Sequence, residues 1–399
     1  MIFNLSLVAA VLALASTTSA APSATPSPAA SAPVPPPVIP LPPFNGTFVG
    51  DYPTLFATAP TNTTLVQKWL SELNLTAVAD FPLVPFTASG DPQNPSAVPV
   101  EACDWTTTGC FNKDLHVCPL GVWGLTYDDG PTEFSTKLYD FLDTTNQKAT
   151  LFYIGTNVVQ NWQAARRACG AGHQIAVHTW SHNPSTSLTN EQFVAEVKYT
   201  EMAIKELCGF TPTYFRPPYG DIDNRIRGLL WAMGYTSVIW DYDTNDWQMD
   251  PASTQTAVTP TSIGTLFDGW IAASKNDTAG HITLEHELYQ STVDVAIANL
   301  PKIQATWKTM PVSACMGDAH PYRETNITLA TINGGTTGVS TGTNTSTTTT
   351  LPSGASPTNG GSTTPKSGTS SAASTFVLKD MKIVSAVTAA AAIAFSQLL

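Results

Sequence analysis

Residues 121–131 read GVWGLTYDDGP, a stretch that joins a strand candidate to a polar turn. Its first seven residues are mostly apolar or β-favouring, which predicts a strand over residues 121–127. The strand runs directly into the adjacent acids Asp128 and Asp129 and then into Gly-Pro, which is good turn sequence. The stretch therefore predicts a strand with two carboxylates at its carboxyl end.

The same alternation of short β-rich runs with longer helical stretches continues to about residue 310. The further strand candidates are residues 149–154, 174–178, 213–215, 236–240 and 281–286. The helix candidates are residues 132–143, 158–169, 190–207, 224–233, 262–273 and 290–306. Alternating elements of this kind predict an α/β fold with a parallel sheet covered by helices. Because about 190 residues is short for eight βα units, we expect a reduced or distorted barrel.

Side chains that can do chemistry follow most of these strand candidates. They are Asp128 and Asp129, His178 and His182, Arg216, Asp246, and Glu285 with His286. The carboxyl ends of parallel strands share one face of an α/β fold, and active sites lie on that face. We therefore expect these residues to converge, although they are spread over about 160 positions of the chain.

His178 and His182 are four residues apart, so one turn brings both imidazoles to the same side. Pro184 disfavours a long helix, and we expect a turn that leaves the strand. Two histidines and one carboxylate are a common catalytic zinc set with a position open for water. Hydrogen-bonded histidines without a metal are the alternative. The carboxylate remains open among four acids: Asp128, Asp129, Asp246 and Glu285.

The two adjacent acids and Arg216 suggest divided roles. Adjacent residues that leave a strand point in different directions, so one acid can bind a cation while the other faces the reaction space. Two prolines stiffen the loop after Arg216, whose guanidinium can hold a carboxylate in its ionised form. An ordinary turn at Asp128-Asp129 and a structural salt bridge at Arg216 are the alternatives.

Rings near the strand ends extend the candidate site. His286 can serve as a general acid whose pKa is set by Asp246, or it is a hydrogen-bonded core histidine. Flat rings pack on sugar faces, so four aromatic residues are candidates for a sugar-binding groove, although most tryptophans are simply core. They are Trp180, Tyr219, Trp240 and Trp247.

Five ordered motifs carry a resemblance to a known family. They are TYDDGP at 126–131, HTWSH at 178–182, RPPYG at 216–220, DTNDW at 243–247 and LEH at 284–286. With these motifs, residues 117–310 strongly resemble the polysaccharide deacetylase family with the NodB homology domain, which is carbohydrate esterase family 4. The resemblance implies a distorted (β/α) barrel of the NodB type. Within the family, the chain is most similar to the GPI-anchored chitin deacetylases of fungi.

The resemblance also implies roles for the acidic and basic residues. Asp129, His178 and His182 would bind one divalent metal, zinc or cobalt. Asp128 would be the general base, and Arg216 would orient it.

The remaining roles concern the leaving group and the acetyl pocket. His286 would be the general acid, tuned by Asp246, and the backbone N–H of Tyr219 would help to hold the oxyanion. Leu284 and Trp247 would shape the acetyl pocket. Glu287 follows His286 where Asp is expected in many relatives, which leaves the hydrogen bonding at that position open.

The implied reaction is hydrolysis of a linear amide C–N bond. The enzyme would remove N-acetyl groups from chitin or chito-oligosaccharides and give chitosan and acetate. Another acetylated polysaccharide, such as acetylxylan or peptidoglycan, is an alternative substrate. A non-catalytic cell-wall mannoprotein that binds chitin is the alternative from another class of protein, although such a protein needs neither a base nor an acid.

Composition is compatible with this substrate. Acidic residues outnumber basic ones, 30 against 18, which gives a formal net charge of −12. The basic residues form no runs, so a nucleic-acid or anionic-lipid surface is not expected. A neutral or cationic polysaccharide is compatible with this charge.

The first quarter of the chain resembles a secretory leader and an irregular lead-in. Residues 1–20 have the apolar core and small-residue end of a signal peptide, although no Lys or Arg precedes the core; a transmembrane anchor is the alternative. Residues 21–102 are a lead-in rich in Pro, Ala and Thr for which we expect little regular structure and a disordered N-terminal part. The NodB-like deacetylase domain is expected over residues 103–320.

The last part of the chain resembles a stalk with a lipid-attachment signal. Residues 330–372 are rich in Gly, Ser and Thr, which predicts a disordered, glycosylated stalk. Residues 373–399 have the polar spacer and apolar tail of a GPI-attachment signal, with attachment expected at Ser370. A tail-anchored transmembrane helix is the alternative. We therefore expect a protein on the secretory route to the cell surface, anchored at the plasma membrane or in the cell wall.

Cysteines and sequons agree with the secretory route. Six sequons follow the leader, at Asn45, Asn62, Asn74, Asn276, Asn326 and Asn344. Six cysteines predict disulfides, with buried free thiols as the alternative. We expect Cys103 or Cys110 to pair with Cys315 and tie the two ends of the domain together. The absence of a CxxC pair disfavours a thiolate zinc site.

Overall fold

The computed structural model describes residues 39–87, 92–252 and 257–327. The predicted signal peptide, residues 21–38 of the lead-in, the stalk with Asn344 and Ser370, and the GPI-attachment signal lie outside these residues. Within the described part of the chain, no helix is long and apolar enough to cross a membrane.

The strands are short and every ladder between them is parallel. They are β1 Val122–Gly124, β2 Thr126–Gly130, β3 Thr150–Tyr153, β4 Gln174–Val177, β5 Tyr214–Phe215, β6 Thr236–Ser237, β7 Tyr242–Asp243, β8 His281–Leu284 and β9 Lys308–Met310. Each of the six predicted strands is present. Sequence analysis missed β7 and β9, because two or three residues are too few to show a period.

The strands close into a distorted barrel, as predicted. Two sheets are formed, with the orders β2-β3-β4-β5-β6 and β7-β8-β1-β9. Only Leu125 separates β1 from β2, so this segment belongs to both sheets. A parallel bridge between Asp128 and His286 joins the ends of β2 and β8. On the other side, residues 236–243 pass from β6 in one sheet to β7 in the other.

Ten α-helices surround the strands in the described residues. They are α1 Thr64–Glu72, α2 Trp105–Thr108, α3 Ser135–Thr144, α4 Gly155–Gln160, α5 Trp162–Ala171, α6 Asn190–Cys208, α7 Asn224–Ala232, α8 Pro260–Ala273, α9 Gln290–Thr306 and α10 Val312–Cys315. The helix predicted over residues 158–169 is instead two helices that break at Asn161. The side-chain amide of Asn161 donates to the Pro131 carbonyl, 2.9 Å away, and this contact competes with a continuous helix.

Helix α6 is the longest helix and supports one side of the site. Thr189 and Gln192 form a reciprocal capping box at its start, and Gly209 ends it in the left-handed conformation. Residues 39–87 and 92–102 contain α1, two short 3₁₀ turns and otherwise mostly irregular backbone. Their apolar side chains nevertheless join the core, with Ile39 and Val66 fully buried.

The disulfide prediction is wrong. Cys315 bonds to Cys118, while Cys103 and Cys110 bond to each other across the short helix α2. Cys118 precedes β1 and Cys315 follows β9, so the β1–β9 ladder brings these two cysteines together. A third disulfide, Cys169–Cys208, links α5 to α6. No cysteine of the described residues is free.

His281, at the amino end of β8, lies between two carboxylates. Its Nδ1 is 2.6 Å from Asp241 Oδ2, and its Nε2 is 3.2 Å from Asp277 Oδ2. Its ring stacks on Tyr242, with 4.1 Å between centroids. Burial favours the neutral ring, but the two carboxylates outweigh burial and raise the pKa of His281 above its usual range.

We predict that His281→Gln destabilises the protein more at low pH than at high pH. Because the folded-state pKa is raised, the stabilisation is fully present below the unfolded pKa of about 6.5 and is lost as pH rises through the folded pKa. Thermal denaturation should show a Tm lower by about 2–4 °C at pH 5.5, the shift for about 1 kcal/mol, and a smaller difference at pH 9. His320→Gln, at an exposed position, is the control. A Tm difference that is the same at both pH values would contradict the prediction.

Candidate metal and catalytic site

Asp129, His178 and His182 come together at the carboxyl ends of β2 and β4. One donor atom from each residue lies within 4.8 Å of the others, and no second cluster of this kind occurs among the described residues. Asp129 Oδ1 is 3.1 Å from His182 Nε2 and 3.4 Å from His178 Nε2. Burial opposes ionisation of Asp129, but the two imidazoles outweigh it and hold the pKa of Asp129 well below its usual range.

A bulge in β2 turns the two adjacent acids toward different partners. Asp128 pairs with Phe152 and Gly130 with Tyr153, so Asp129 is the extra residue of the strand. Asp129 accordingly has a φ of 67°. The side-chain amide of Asn157 in α4 donates to the Asp129 carbonyl at 2.8 Å and secures the bulge.

The donor set fits a divalent metal ion. His178 Nδ1 lies 2.7 Å from the Arg216 carbonyl, which can only accept, so Nδ1 carries the proton and Nε2 keeps its lone pair in the neutral ring. Asp129 Oδ1 is buried without a hydrogen bond, although two imidazole nitrogens lie beside it. Two imidazole nitrogens and one carboxylate oxygen around a common point are ligands that a divalent transition metal prefers.

Asp128 lies next to this cluster and is held by a buried arginine. Arg216 is fully buried, and its Nη1 donates to Asp128 Oδ1 at 2.8 Å and to Thr126 Oγ1 at 2.7 Å. Burial lowers the pKa of Arg216, and the charge of Asp128 opposes this effect. The second oxygen, Asp128 Oδ2, faces His178 Nε2 at 3.9 Å. Arg216 therefore fixes one oxygen of Asp128 and leaves the other beside the candidate metal ligands.

His286 lies beside Asp128 across the bridge between β2 and β8. Its Nδ1 is 2.6 Å from Asp246 Oδ1, and its backbone N–H donates to Asp246 Oδ2 at 2.9 Å. Burial favours the neutral imidazole, but the charge and the hydrogen bond of Asp246 outweigh it and raise the pKa of His286 to about 10. The contacts with Asp246 therefore favour the imidazolium form of the ring.

Tyr219, Trp247 and Leu284 surround the same strand ends. Tyr219 has a φ of 60° in the turn after Arg216, and its ring centroid is 4.7 Å from that of His182. Trp247 lies in the turn that also carries Asp246, and it is partly exposed. Leu284 is buried at the end of β8.

Two other aromatic candidates do not line a groove. Trp180 is fully buried and stacks on Tyr52, with 5.7 Å between centroids. Trp240 is 8% exposed and packs against Trp105. The sugar-groove prediction is therefore wrong for Trp180 and Trp240, because both belong to the core.

Sequence analysis missed several supporting residues. Thr126 receives a hydrogen bond from Arg216, and Asn157 holds Asp129. Glu196 in α6 binds the loop that carries His182. None of these residues had a local signal, since neutral side chains and a lone helical Glu give no pattern that points to a site.

Glu287, the position at which Asp was expected, is fully buried. Its Oε2 accepts a hydrogen bond from the Tyr139 hydroxyl at 2.6 Å. A Cβ placed on Gly130 would lie 1.9 Å from Glu287 Oε1, so the longer side chain packs where Gly130 leaves space. Burial raises the pKa of Glu287 to about 8.

The sequons within the described residues are on the surface. All five asparagines are exposed: Asn45, Asn62, Asn74, Asn276 and Asn326.

The polysaccharide deacetylase family model matches residues 119–238. Chitin deacetylase 1 of Cryptococcus neoformans var. grubii is 38% identical over 304 residues, which are 72% of this chain and 63% of the relative. Chitin deacetylase 2 of Saccharomyces cerevisiae is 33% identical over 246 residues, which are 61% of this chain and 74% of the relative. This chain belongs to the polysaccharide deacetylase family.

Two further comparisons concern length and structure. The chain spans 63%, 54% and 65% of the lengths of three curated relatives that it matches, so part of each relative has no counterpart. Among solved structures, the chitin deacetylase from the fungal pathogen Colletotrichum lindemuthianum matches with a TM-score of 0.48 and 27% identity. That match covers 52% of this chain and 94% of the other.

We predict that the protein, stripped by a chelator, takes up one equivalent of Zn²⁺ or Co²⁺. His182→Ala should lower the metal affinity by at least about 100-fold, because one of three protein ligands is lost. Competition with a chromophoric chelator measures the affinity. His286→Ala, which changes a nearby imidazole outside the cluster, is the control and should retain the ion. Equal affinity of His182→Ala and wild type would contradict the assignment.

Proposed function

We propose that this protein is a metal-dependent chitin deacetylase. It hydrolyses the N-acetyl groups of N-acetylglucosamine units and yields acetate and chitosan. One observation carries the proposal: the free oxygen of Asp128 lies 3.9 Å from His178 in the metal-ligand cluster, while Arg216 holds the other oxygen. The names of the relatives support chitin as the substrate.

Asp129, His178 and His182 would hold the divalent ion, for which we propose zinc or cobalt. When bound, such an ion supplies Lewis-acid polarisation of the amide carbonyl. One ligand atom from each of the three residues lies close to a common point. The proton on His178 Nδ1 leaves the other ring nitrogen, Nε2, free to bind the ion at this point. The acetamide group therefore binds between this point and the free oxygen of Asp128.

Asp128 is the general base. Arg216 holds one of its oxygens, and its free oxygen takes the proton from the attacking water. The backbone N–H of Tyr219 donates to the oxyanion of the tetrahedral intermediate. Leu284 and Trp247 form the wall against the acetyl methyl group.

His286 is the general acid. Asp246 keeps its imidazole protonated at neutral pH, so a proton is ready for the departing amine. The two proton transfers yield acetate and the free amine of a glucosamine unit. The active state therefore needs a carboxylate at Asp128 that can accept a proton and an imidazolium at His286 that can donate one.

The enzyme acts at the cell surface. The signal-like residues 1–20, the exposed sequons and the three disulfides support passage through an oxidising secretory compartment. The stalk over residues 330–372 and the tail over residues 373–399 support a GPI lipid attached at Ser370. The enzyme would then meet chitin in the cell wall.

We predict acetate release from chito-oligosaccharides that stops when a chelator is added and returns with Zn²⁺ or Co²⁺. An enzyme-coupled acetate assay on a panel with acetylxylan and peptidoglycan measures the substrate class. Acetate release from acetylxylan or peptidoglycan alone would show that this polysaccharide, and not chitin, is the substrate. If no substrate releases acetate after the metal is restored, the enzymatic function is refuted and a chitin-binding protein is favoured.

We predict that Asp128→Asn lowers the rate of acetate release by at least about 100-fold while the metal remains bound. The amide keeps the shape of the side chain but cannot take a proton from water. Asp51→Asn, the same change at an exposed position, is the control. Full activity of Asp128→Asn with one equivalent of metal bound would exclude Asp128 as the base.

A further inference from the structure

The loop Thr179–His182 carries a metal-ligand candidate in an unfavourable backbone conformation. Thr179 has a φ of 63° and His182 a φ of 60°, both in the left-handed region that non-glycine residues rarely occupy. Each such residue costs about 1 kcal/mol or more, so surrounding contacts must impose the conformation. Those contacts decide where the imidazole of His182 lies.

One buried carboxylate binds the amide side of this loop. Glu196 of α6 is fully buried, and its Oε2 accepts hydrogen bonds from the backbone N–H groups of Trp180 and Ser181 at 2.9 and 2.8 Å. Its Oε1 accepts from the Ser181 hydroxyl at 2.8 Å. The same oxygen accepts from the backbone N–H of Ala59, also at 2.8 Å. Every hydrogen bond of this carboxylate therefore goes to the loop or to the lead-in.

The carbonyl side of the loop is held by α4. The Gly155 N–H donates to the Thr179 carbonyl at 2.9 Å, and the Thr156 N–H and hydroxyl both donate to the Trp180 carbonyl. Helix α4 thus holds two loop carbonyls, while Glu196 holds the next two amides. Without Glu196, the amides of Trp180 and Ser181 would be buried or partly buried without an acceptor.

The lead-in contacts the same loop from the other side. The indole N–H of Trp180 donates to the Thr54 carbonyl at 3.3 Å, and the Asn183 amide donates to the Thr58 hydroxyl at 2.9 Å. Together with Ala59, these contacts make Thr54–Ala59 the outer support of the loop.

We propose that Glu196 is the positioning residue for His182, and that it fixes the metal site by joining the loop Thr179–His182 to the lead-in Thr54–Ala59. This inference rests on the proposed metal-binding role of His182. Glu196 does not touch the ion or the substrate. It acts by holding the strained backbone on which His182 stands.

The test is metal affinity in the full chain without substrate, measured by competition with a chromophoric chelator, with Tm recorded in parallel. Glu196→Ala should weaken Zn²⁺ or Co²⁺ binding by about 10–100-fold, the usual effect of removing a supporting partner of a ligand. Glu206→Ala is the matched control. Glu206 lies on the same helix and accepts from the lead-in at Val49, Gly50 and Tyr52, but it does not contact the loop. The Glu206→Ala variant should have a lower Tm, and its metal affinity should stay within about 2-fold of wild type.

Two conservative variants separate positioning from charge and from folding. Glu196→Gln keeps an oxygen that can accept from both loop amides but turns its NH₂ toward the Ala59 N–H, so it should weaken binding by less than Glu196→Asp does. Glu196→Asp keeps the charge but withdraws the oxygens by one methylene, so it should weaken binding by about 10-fold. If Glu196→Ala does not fold, this pair decides the question.

The outcomes are distinct. Equal metal affinity of wild type and Glu196→Asp, or equal losses in Glu196→Ala and Glu206→Ala, would overturn the positioning role and leave the proposed function intact. A wild-type protein that binds no divalent ion would overturn the metal-dependent function itself.

Discussion

The arrangement of the site depends on one buried residue, Arg216. Its guanidinium binds Asp128 Oδ1 and Thr126, and its carbonyl accepts from His178 Nδ1. Its backbone N–H in turn donates to Val177, the last residue of β4. A single residue thus sets the orientation of the candidate base and the tautomer of a candidate metal ligand. An arginine buried this completely needs an acidic partner, and Asp128 lies against it.

The acids around the site divide according to their partners. Asp129 has two imidazoles beside it, and its pKa lies well below the usual range. Glu285 and Glu287 are buried near the same strand ends, and burial raises the pKa of each to about 8. Burial likewise raises the pKa of Asp243 to about 6. Negative charge is therefore favoured on Asp129, whereas burial disfavours it on Glu285, Glu287 and, to a smaller extent, Asp243.

The sequence predicts the features that depend on residues close together in the chain, and it misses those that depend on contacts between residues far apart in the chain. The β-rich runs, the long helices and the polar strand ends were all visible, because they depend on local composition and on a period. The helix break at Asn161 could not be predicted from the sequence, since it arises from a contact with Pro131, 30 residues away in the chain. The pairing of Cys118 with Cys315 follows from the β1–β9 ladder, and β9 was too short to predict.

The same reasoning separates the ligands of the site from their supports. Histidines four residues apart and adjacent acids are patterns that chemistry explains directly. Glu196, in contrast, has neighbours in the sequence that give no hint of a site, because its partners come from the loop Thr179–His182 and from Ala59. Supports of this kind are defined only by the folded chain.

The described part of the lead-in, residues 39–87 and 92–102, therefore packs with the barrel that holds the candidate site, although it lies outside residues 119–238, which match the family model. Phe44, Phe48 and Tyr52 form a chain of edge contacts, and Tyr52 stacks on Trp180. A chain that began at residue 103 would uncover this fully buried indole and remove the Ala59 donor from Glu196. Trp180 and Ser181 directly precede His182, so the loss of these contacts would also weaken the support of the loop that carries this candidate metal ligand. The boundary of the functional unit is thus set by the packing around Trp180, and it lies N-terminal to the motif-bearing barrel.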